Sequence, residues 1–131
     1  MRRLVLLALV VPVFAGCAAT SSEVLDNEIS RSVPRWVLDE RLPPSAVPGA
    51  KLFAVAGCTA CHTYAGSGGQ SLGAPDLTAE GLRNRGIDFQ IRHLVDPARV
   101  IPGSPMPSFA SLGPKRLRQL AIFLEASKGI R

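Results

Sequence analysis

The segment Cys58-Thr59-Ala60-Cys61-His62 constrains this chain more than any other feature, because two thiols three positions apart, followed at once by an imidazole, leave few chemistries open. That spacing is the motif for covalent attachment of a c-type haem. The thiols of Cys58 and Cys61 add to two vinyl groups on one edge of a porphyrin, and the bend between them directs His62 to the iron. A structural zinc site would want four ligands, usually from two separated pairs, and His93 alone does not complete one. A thioredoxin-like redox pair belongs in a βαβ context, which the helix-and-loop pattern lacks, and a plain disulfide leaves His62 unexplained. One haem attached through all three residues explains the whole motif.

The second iron ligand follows by elimination. The chain has two methionines and two histidines, so apart from the initiator and His62 the candidates are Met106 and His93. Met106 lies in Ile101-Pro102-Gly103-Ser104-Pro105-Met106-Pro107, where three prolines remove backbone donors and fix φ, so the segment is a stiff loop rather than helix or central strand. Methionine ordinarily fills gaps in a core. A thioether flanked by prolines suits a ligand better, and on iron it raises the reduction potential. His93 as ligand, or an open position, are the alternatives. An open position would make the domain a haem enzyme or ligand sensor, and a third reading is a structural subunit stabilised by its haem.

The first residues, MRRLVLLALVVPVFAGCAAT, carry a basic pair, an apolar run over residues 4–15 and small residues before Cys17, the layout of an export signal. Phe14-Ala15-Gly16-Cys17 resembles a bacterial lipobox, so residues 1–16 read as a lipoprotein signal and Cys17 as the acylated mature N-terminus. An uncleaved membrane helix competes, since residues 4–22 carry no charge. Pro12 and the polar tail Ala18-Ala19-Thr20-Ser21-Ser22 weaken it. Every version places the domain on the extracytoplasmic face of a bacterial envelope, and the lipid reading anchors it to the membrane.

Losing Arg2 and Arg3 from 15 basic residues against 10 acidic lowers the net charge from +5 to +3, too mild to argue for nucleic acid. Residues 17–41 hold three basic and five acidic side chains, whereas residues 42–131 hold ten basic and five acidic. The basic part could steer an acidic redox partner or an anionic surface.

A chain of 131 residues has room for one compact domain. Residues 17–47, rich in Ser, Pro and charge, read as a tether with a short helical turn near Trp36, and residues 48–131 as the domain. Within it, Gly49-Ala50-Lys51-Leu52-Phe53-Ala54-Val55-Ala56 predicts a helix with Leu52, Phe53 and Ala56 inward, ending at Gly57. Residues 64–73 hold four glycines and two serines and predict a wrapping loop. A second helix starts at Asp88 as N-cap, turns Ile91, Leu94 and Val95 inward and stops at Pro97. The last starts at Ser111 or Gly113 ahead of Pro114, buries Leu117, Leu120, Ala121 and Leu124, and stops at Gly129. No segment alternates like a strand, so the class is all-α. A domain this small has a thin core, and a covalent haem would staple it.

In this order the residues resemble the monohaem class I cytochrome c domain over residues 48–128. The matching elements are Gly49 and Phe53 before Cys58-x-x-Cys61-His62, then Gly73-Ala74-Pro75-Asp76-Leu77-Thr78, Pro102-Gly103-Ser104-Pro105-Met106-Pro107, and Phe123 in the final helix. The resemblance implies three to five short helices around one covalent haem c, with Gly49 and Phe53 packed against Phe123. It also implies that the Pro75 carbonyl accepts the ring N–H of His62, orienting that ligand. The run from Arg92-His93-Leu94-Val95-Asp96-Pro97 to Met106 resembles domains attached to terminal oxidases, nitric-oxide reductases and quinol–cytochrome c reductases, which implies a respiratory electron path. Arginines often meet haem propionates in that family, and Arg83, Arg85, Arg92 and Arg99 are the candidates.

The expected function is therefore outer-sphere electron transfer by an electron carrier rather than an enzyme. Leu52, Phe53, Phe109, Leu117 and Leu120 would shield the iron, and the small residues Gly57, Thr59 and Ala60 would let a redox partner approach the haem edge.

Overall fold

The computed structural model describes residues 42–129. The signal segment, Cys17 and Trp36 lie outside them. Among the described residues four α-helices carry the fold: α1 (Val47–Val55), α2 (Ile87–Val95), α3 (Pro97–Val100) and α4 (Gly113–Ala126), with 3-10 turns at Cys58–Ala60, Glu80–Arg83 and Ala110–Leu112. The only extended pairing among the described residues is an isolated bridge between Tyr64 and Ser67. None of these helices is long and apolar enough to cross a membrane.

The fold is organised by α1 crossing α4, with α2 also packed on α4. Gly49 makes the crossing close: a Cβ there would collide with the Gln119 carbonyl and lie 2.7 Å from Phe123 Cβ. The approach lets Phe53, Tyr64 and Phe123 form one aromatic cluster, with ring centroids 5.8 Å apart for Phe53 and Tyr64, 5.4 Å for Phe53 and Phe123, and 4.8 Å for Tyr64 and Phe123. Tilted pairs at such separations add to the gain from burial alone. Tyr64 also buries a hydroxyl, which donates to Ser127 Oγ at 2.9 Å, and Ser127 Oγ donates to the Phe123 carbonyl at 2.8 Å. Both buried hydroxyls are thus satisfied.

Several element boundaries differ from the sequence expectation. Helix α1 starts at Val47 with Pro48 in its first turn, and the preceding residues are packed, with Ala46 fully buried and Leu42 against the core. Helix α2 starts one residue before Asp88, with Gly86 at its N-cap and no side-chain cap. Asp88 sits instead in the first turn, where a carboxylate favours the helix dipole. The inward face of α2 is also rotated: Gln90 and Leu94 are buried, whereas Val95 is 37% exposed. The rotation has a cause, since α2 faces a cavity and a charged cluster rather than purely apolar core.

Pro97 ends α2 but also opens α3, a role proline takes readily in a first turn. The Asp96 carboxylate accepts the Arg99 N–H at 3.2 Å and serves as its N-cap. At the C-terminal end, α4 stops at Ala126, before Gly129. Gly129 turns the chain with φ +90° and donates its N–H to the Thr78 carbonyl at 2.9 Å.

Candidate functional site

Gly57 sets up the site. Its φ of +83° is a left-handed turn that side-chain-bearing residues resist, and it ends the run of α1 and starts the 3-10 turn Cys58–Ala60. Within that turn the His62 N–H donates to the Cys58 carbonyl at 2.9 Å, drawing both cysteines and the imidazole into one bend. The glycine-rich loop then packs back on it. Gly69 donates to the Thr59 carbonyl at 2.8 Å and Ser71 to the Cys61 carbonyl at 3.2 Å, and Gly68 has no room for a Cβ against the His62 carbonyl. Gly68 and Gly69 of the predicted wrapping loop are there because two backbones touch.

The next segment fixes the imidazole. Leu77 donates to the Thr63 carbonyl at 3.0 Å, and Ala65 donates to Thr78 Oγ1 at 2.8 Å. Clamped beside residues 63–65, the segment places the Pro75 carbonyl 2.8 Å from His62 Nδ1. A carbonyl only accepts, so Nδ1 carries a proton, and in the neutral ring that leaves the lone pair on Nε2, the form in which imidazole binds a metal. Next to it, the Asp76 carboxyl is held below the usual carboxylate range, chiefly by hydrogen bonds from Thr78, whose N–H donates to Oδ1 at 2.7 Å.

The proline-rich loop is pinned at its far end. Phe109 donates to the Leu94 carbonyl at 2.8 Å and the Ser108 hydroxyl to the Val95 carbonyl at 2.6 Å, so both anchors are the last carbonyls of α2. Those are the groups a helix end leaves without intrahelical partners. Met106 is half-buried, packed against the core cluster, and its N–H meets Ser104 Oγ at 3.3 Å.

Cys58, Cys61, His62, Pro75 and Met106 all line one cavity of about 400 Å³, a volume in the range of cofactor and ligand sites. Phe53, Phe109 and Leu120 contribute to its wall as expected, together with Leu77, Leu94 and Leu124. Leu52 and Leu117 are buried but belong to the helix-packing core, not to this wall. Of the four candidate arginines, Arg83 and Arg85 line the cavity and Arg92 and Arg99 do not. His93, the alternative ligand, lines the cavity as well, whereas Phe89, Gln90 and Glu80 were missed as wall residues. For Gln90 the available signal was its place three positions before His93 on one side of α2.

The residues fit a covalently attached haem. Cys58 and Cys61 are separate thiols, and burial pushes the Cys58 thiol up to about 12, so it is a protonated, sheltered group rather than an exposed reactive thiolate. The walls are largely apolar, with polar side chains confined to a few positions. His93 Nδ1 is the one buried side-chain nitrogen or oxygen among the described residues without a partner. It belongs to a ring that lines the cavity and stacks on Phe89 at 6.0 Å. Burial and the nearby Arg85 charge lower the His93 pKa, so the ring stays neutral. Zinc fits poorly, since among the described residues no three His, Cys, Asp or Glu side chains cluster to hold a metal ion.

The family model described as cytochrome c matches residues 46–128. No curated protein and no solved structure matches the chain.

Proposed function

This chain belongs to the cytochrome c family, which binds covalent haem c and transfers electrons, and from that premise we propose that Cys58 and Cys61 attach the haem while His62 and Met106 bind its iron. The observation that carries the assignment is the convergence of those four side chains, from two distant stretches of sequence, on one apolar cavity. When bound, the haem supplies one-electron chemistry between the ferrous and ferric states.

The protein's own residues do the rest. His62 presents a nitrogen lone pair because Pro75 holds its proton on the other side, which fixes the ring and raises its basicity. Met106 is delivered by a loop stiffened by Pro102, Pro105 and Pro107 and anchored to α2, so the thioether needs little reorganisation between oxidation states. Phe53, Leu94, Phe109, Leu120 and Leu124 exclude water. Leu72, 72% exposed, and Ile101, 45% exposed, lie at the cavity wall with Gly57 and Gly103, where a partner can approach closely.

The setting we propose is a respiratory electron path outside the cytoplasm of a bacterium. The export signal and the lipobox-like Cys17 support a lipid-anchored protein of the envelope. Several acyl chains would be needed, since one alone binds weakly. The likeness of residues 92–107 to domains of terminal oxidases, nitric-oxide reductases and quinol–cytochrome c reductases supports a membrane complex as redox partner.

The test is to express the full chain with a c-haem maturation system and record its spectra in both oxidation states. A pyridine haemochrome of thioether-bound haem, with the weak near-infrared band of methionine–ferric ligation, is the expected result. Covalent haem without that band removes Met106 from the assignment. No covalent haem overturns it.

A further inference from the structure

Glu80 is a carboxylate in an unexpected place. Its side chain is only 7% exposed, and it lines the same cavity as Cys58 and Met106. Burying an ionised carboxylate is expensive unless its oxygens are paired and hydrogen-bonded, and here they are. Arg83 Nε lies 3.3 Å from Oε2 and Arg85 Nε 3.5 Å from Oε1, while Gln90 Nε2 donates to Oε1 at 3.2 Å. The same Gln90 nitrogen donates to Glu125 Oε1 at 2.9 Å, which ties the cluster to α4. Arg85 is further fixed over the Phe89 ring, 4.8 Å from its centroid. The backbone is clamped as well: Gly81 lies against the Glu125 carbonyl without room for a Cβ, and its N–H donates to the Ser127 carbonyl at 2.7 Å.

Fold stability is a weak reason for such a cluster. Each arginine meets Glu80 through its Nε at 3.3 Å or more, and the side chains of Arg83 and Arg85 are 49% and 33% exposed. Ion pairs of that kind contribute little, and an apolar replacement of a buried pair is often no less stable. What the cluster does achieve is to place two guanidinium groups at the cavity with their charge partly cancelled.

We propose that Glu80 is a positioning and charge-setting residue of the haem site: it fixes Arg83 and Arg85 toward the haem carboxylates and offsets one of their two positive charges, holding the reduction potential down. This rests on the haem assignment above. Two arginines match the two haem carboxylates in charge, and Glu80 leaves one negative charge in excess. Ferric haem carries one more positive charge than ferrous haem, so that excess favours the ferric state. Glu80 itself is only 7% exposed, so its charge is screened less than those of the two arginines.

The test uses the full-length holo-protein, with Glu80→Gln to remove the charge at nearly constant shape and Glu80→Asp to keep it. Visible spectra are followed in a redox titration. Glu80→Gln is expected to raise the ferrous-to-ferric ratio at fixed ambient potential about tenfold, equivalent to 59 mV for one electron. Glu80→Asp is expected to restore most of the parent ratio. A purely structural role would lower the melting temperature of both variants and leave the ratio alone. A Glu80→Gln ratio within twofold of the parent, or below it, with covalent haem and the methionine band intact, overturns the inference and leaves the function standing. Should Glu80→Gln not fold, Arg83→Gln and Arg85→Gln are read in the same titration: a lowered ratio in either supports the inference, and unchanged ratios in both overturn it. Absence of covalent haem from the parent protein overturns both.

Discussion

Gly49→Ala sets two effects of opposite sign against each other. In the interior of a helix alanine is favoured over glycine by about 1 kcal/mol, and Gly49 lies inside α1, so propensity alone predicts a gain. Packing predicts a larger loss. The new methyl would collide with the Gln119 carbonyl, which as backbone of α4 cannot rotate away, and would lie 2.7 Å from Phe123 Cβ. Comfortable carbon contacts start near ~3.5 Å, so α1 must retreat by roughly 1 Å. That retreat separates Phe53 from Phe123, whose centroids are 5.4 Å apart. Overpacking of a tight site costs about 1–3 kcal/mol, and with backbone as the obstacle the upper part of that range applies. The net expectation is a loss of about 2 kcal/mol, or roughly 10 °C in Tm for a domain of this size. Guanidinium unfolding of the ferric holo-protein measures it as a lower midpoint at unchanged slope. A variant as stable as the parent or more so would refute the claim that α1 and α4 touch through Gly49.

Met106→Ala should lower the reduction potential, remove the near-infrared methionine band and let the ferrous protein bind carbon monoxide; a methionine that only packs would change none of these. Tyr64→Phe should cost about 1 kcal/mol by chemical denaturation, because the lost bond is to Ser127 Oγ, which keeps its own acceptor at Phe123. The pH dependence of stability should carry a contribution from His93. Its folded-state pKa is depressed by burial and by Arg85, so the unfolded chain binds a proton that the folded one refuses, and stability falls as pH drops below the ordinary histidine value of about 6.5. Unfolding midpoints at pH 7 and pH 5 should therefore differ less in His93→Phe than in the parent, and an unchanged difference would exclude His93 as a source.

The candidate ligands were legible as a local pattern. The cysteines and His62 are adjacent, so their bend depends on a few torsions and on Gly57. Met106 stood out because prolines on both sides forbid regular structure. The burial of Leu52, Phe53, Leu117, Leu120 and Leu124 followed from helical period, which is also local. Other features were beyond that reading. The rotation of α2 that buries Gln90 and exposes Val95 runs against hydrophobic period, because the inward side of α2 meets Glu80 and a cofactor cavity instead of aliphatic core. Nothing in the sequence distinguished Arg83 and Arg85 from Arg92 and Arg99, since all four are charged residues in a polar stretch.

What the sequence alone determined about this protein is the set of groups it can offer: a thiol pair, an imidazole and a thioether at spacings that suit one haem. The tertiary structure decided the electrostatic surroundings. Which arginines, which carboxylate and which leucines face the cavity depends on how the turn Glu80–Arg83 and α2 seat on α4, and the turn is held there by a close backbone approach at Gly81, as the α1–α4 crossing is by one at Gly49. Ligand identity travels with the residue, whereas the field around the ligand is a sum over charges that only the packed chain brings together.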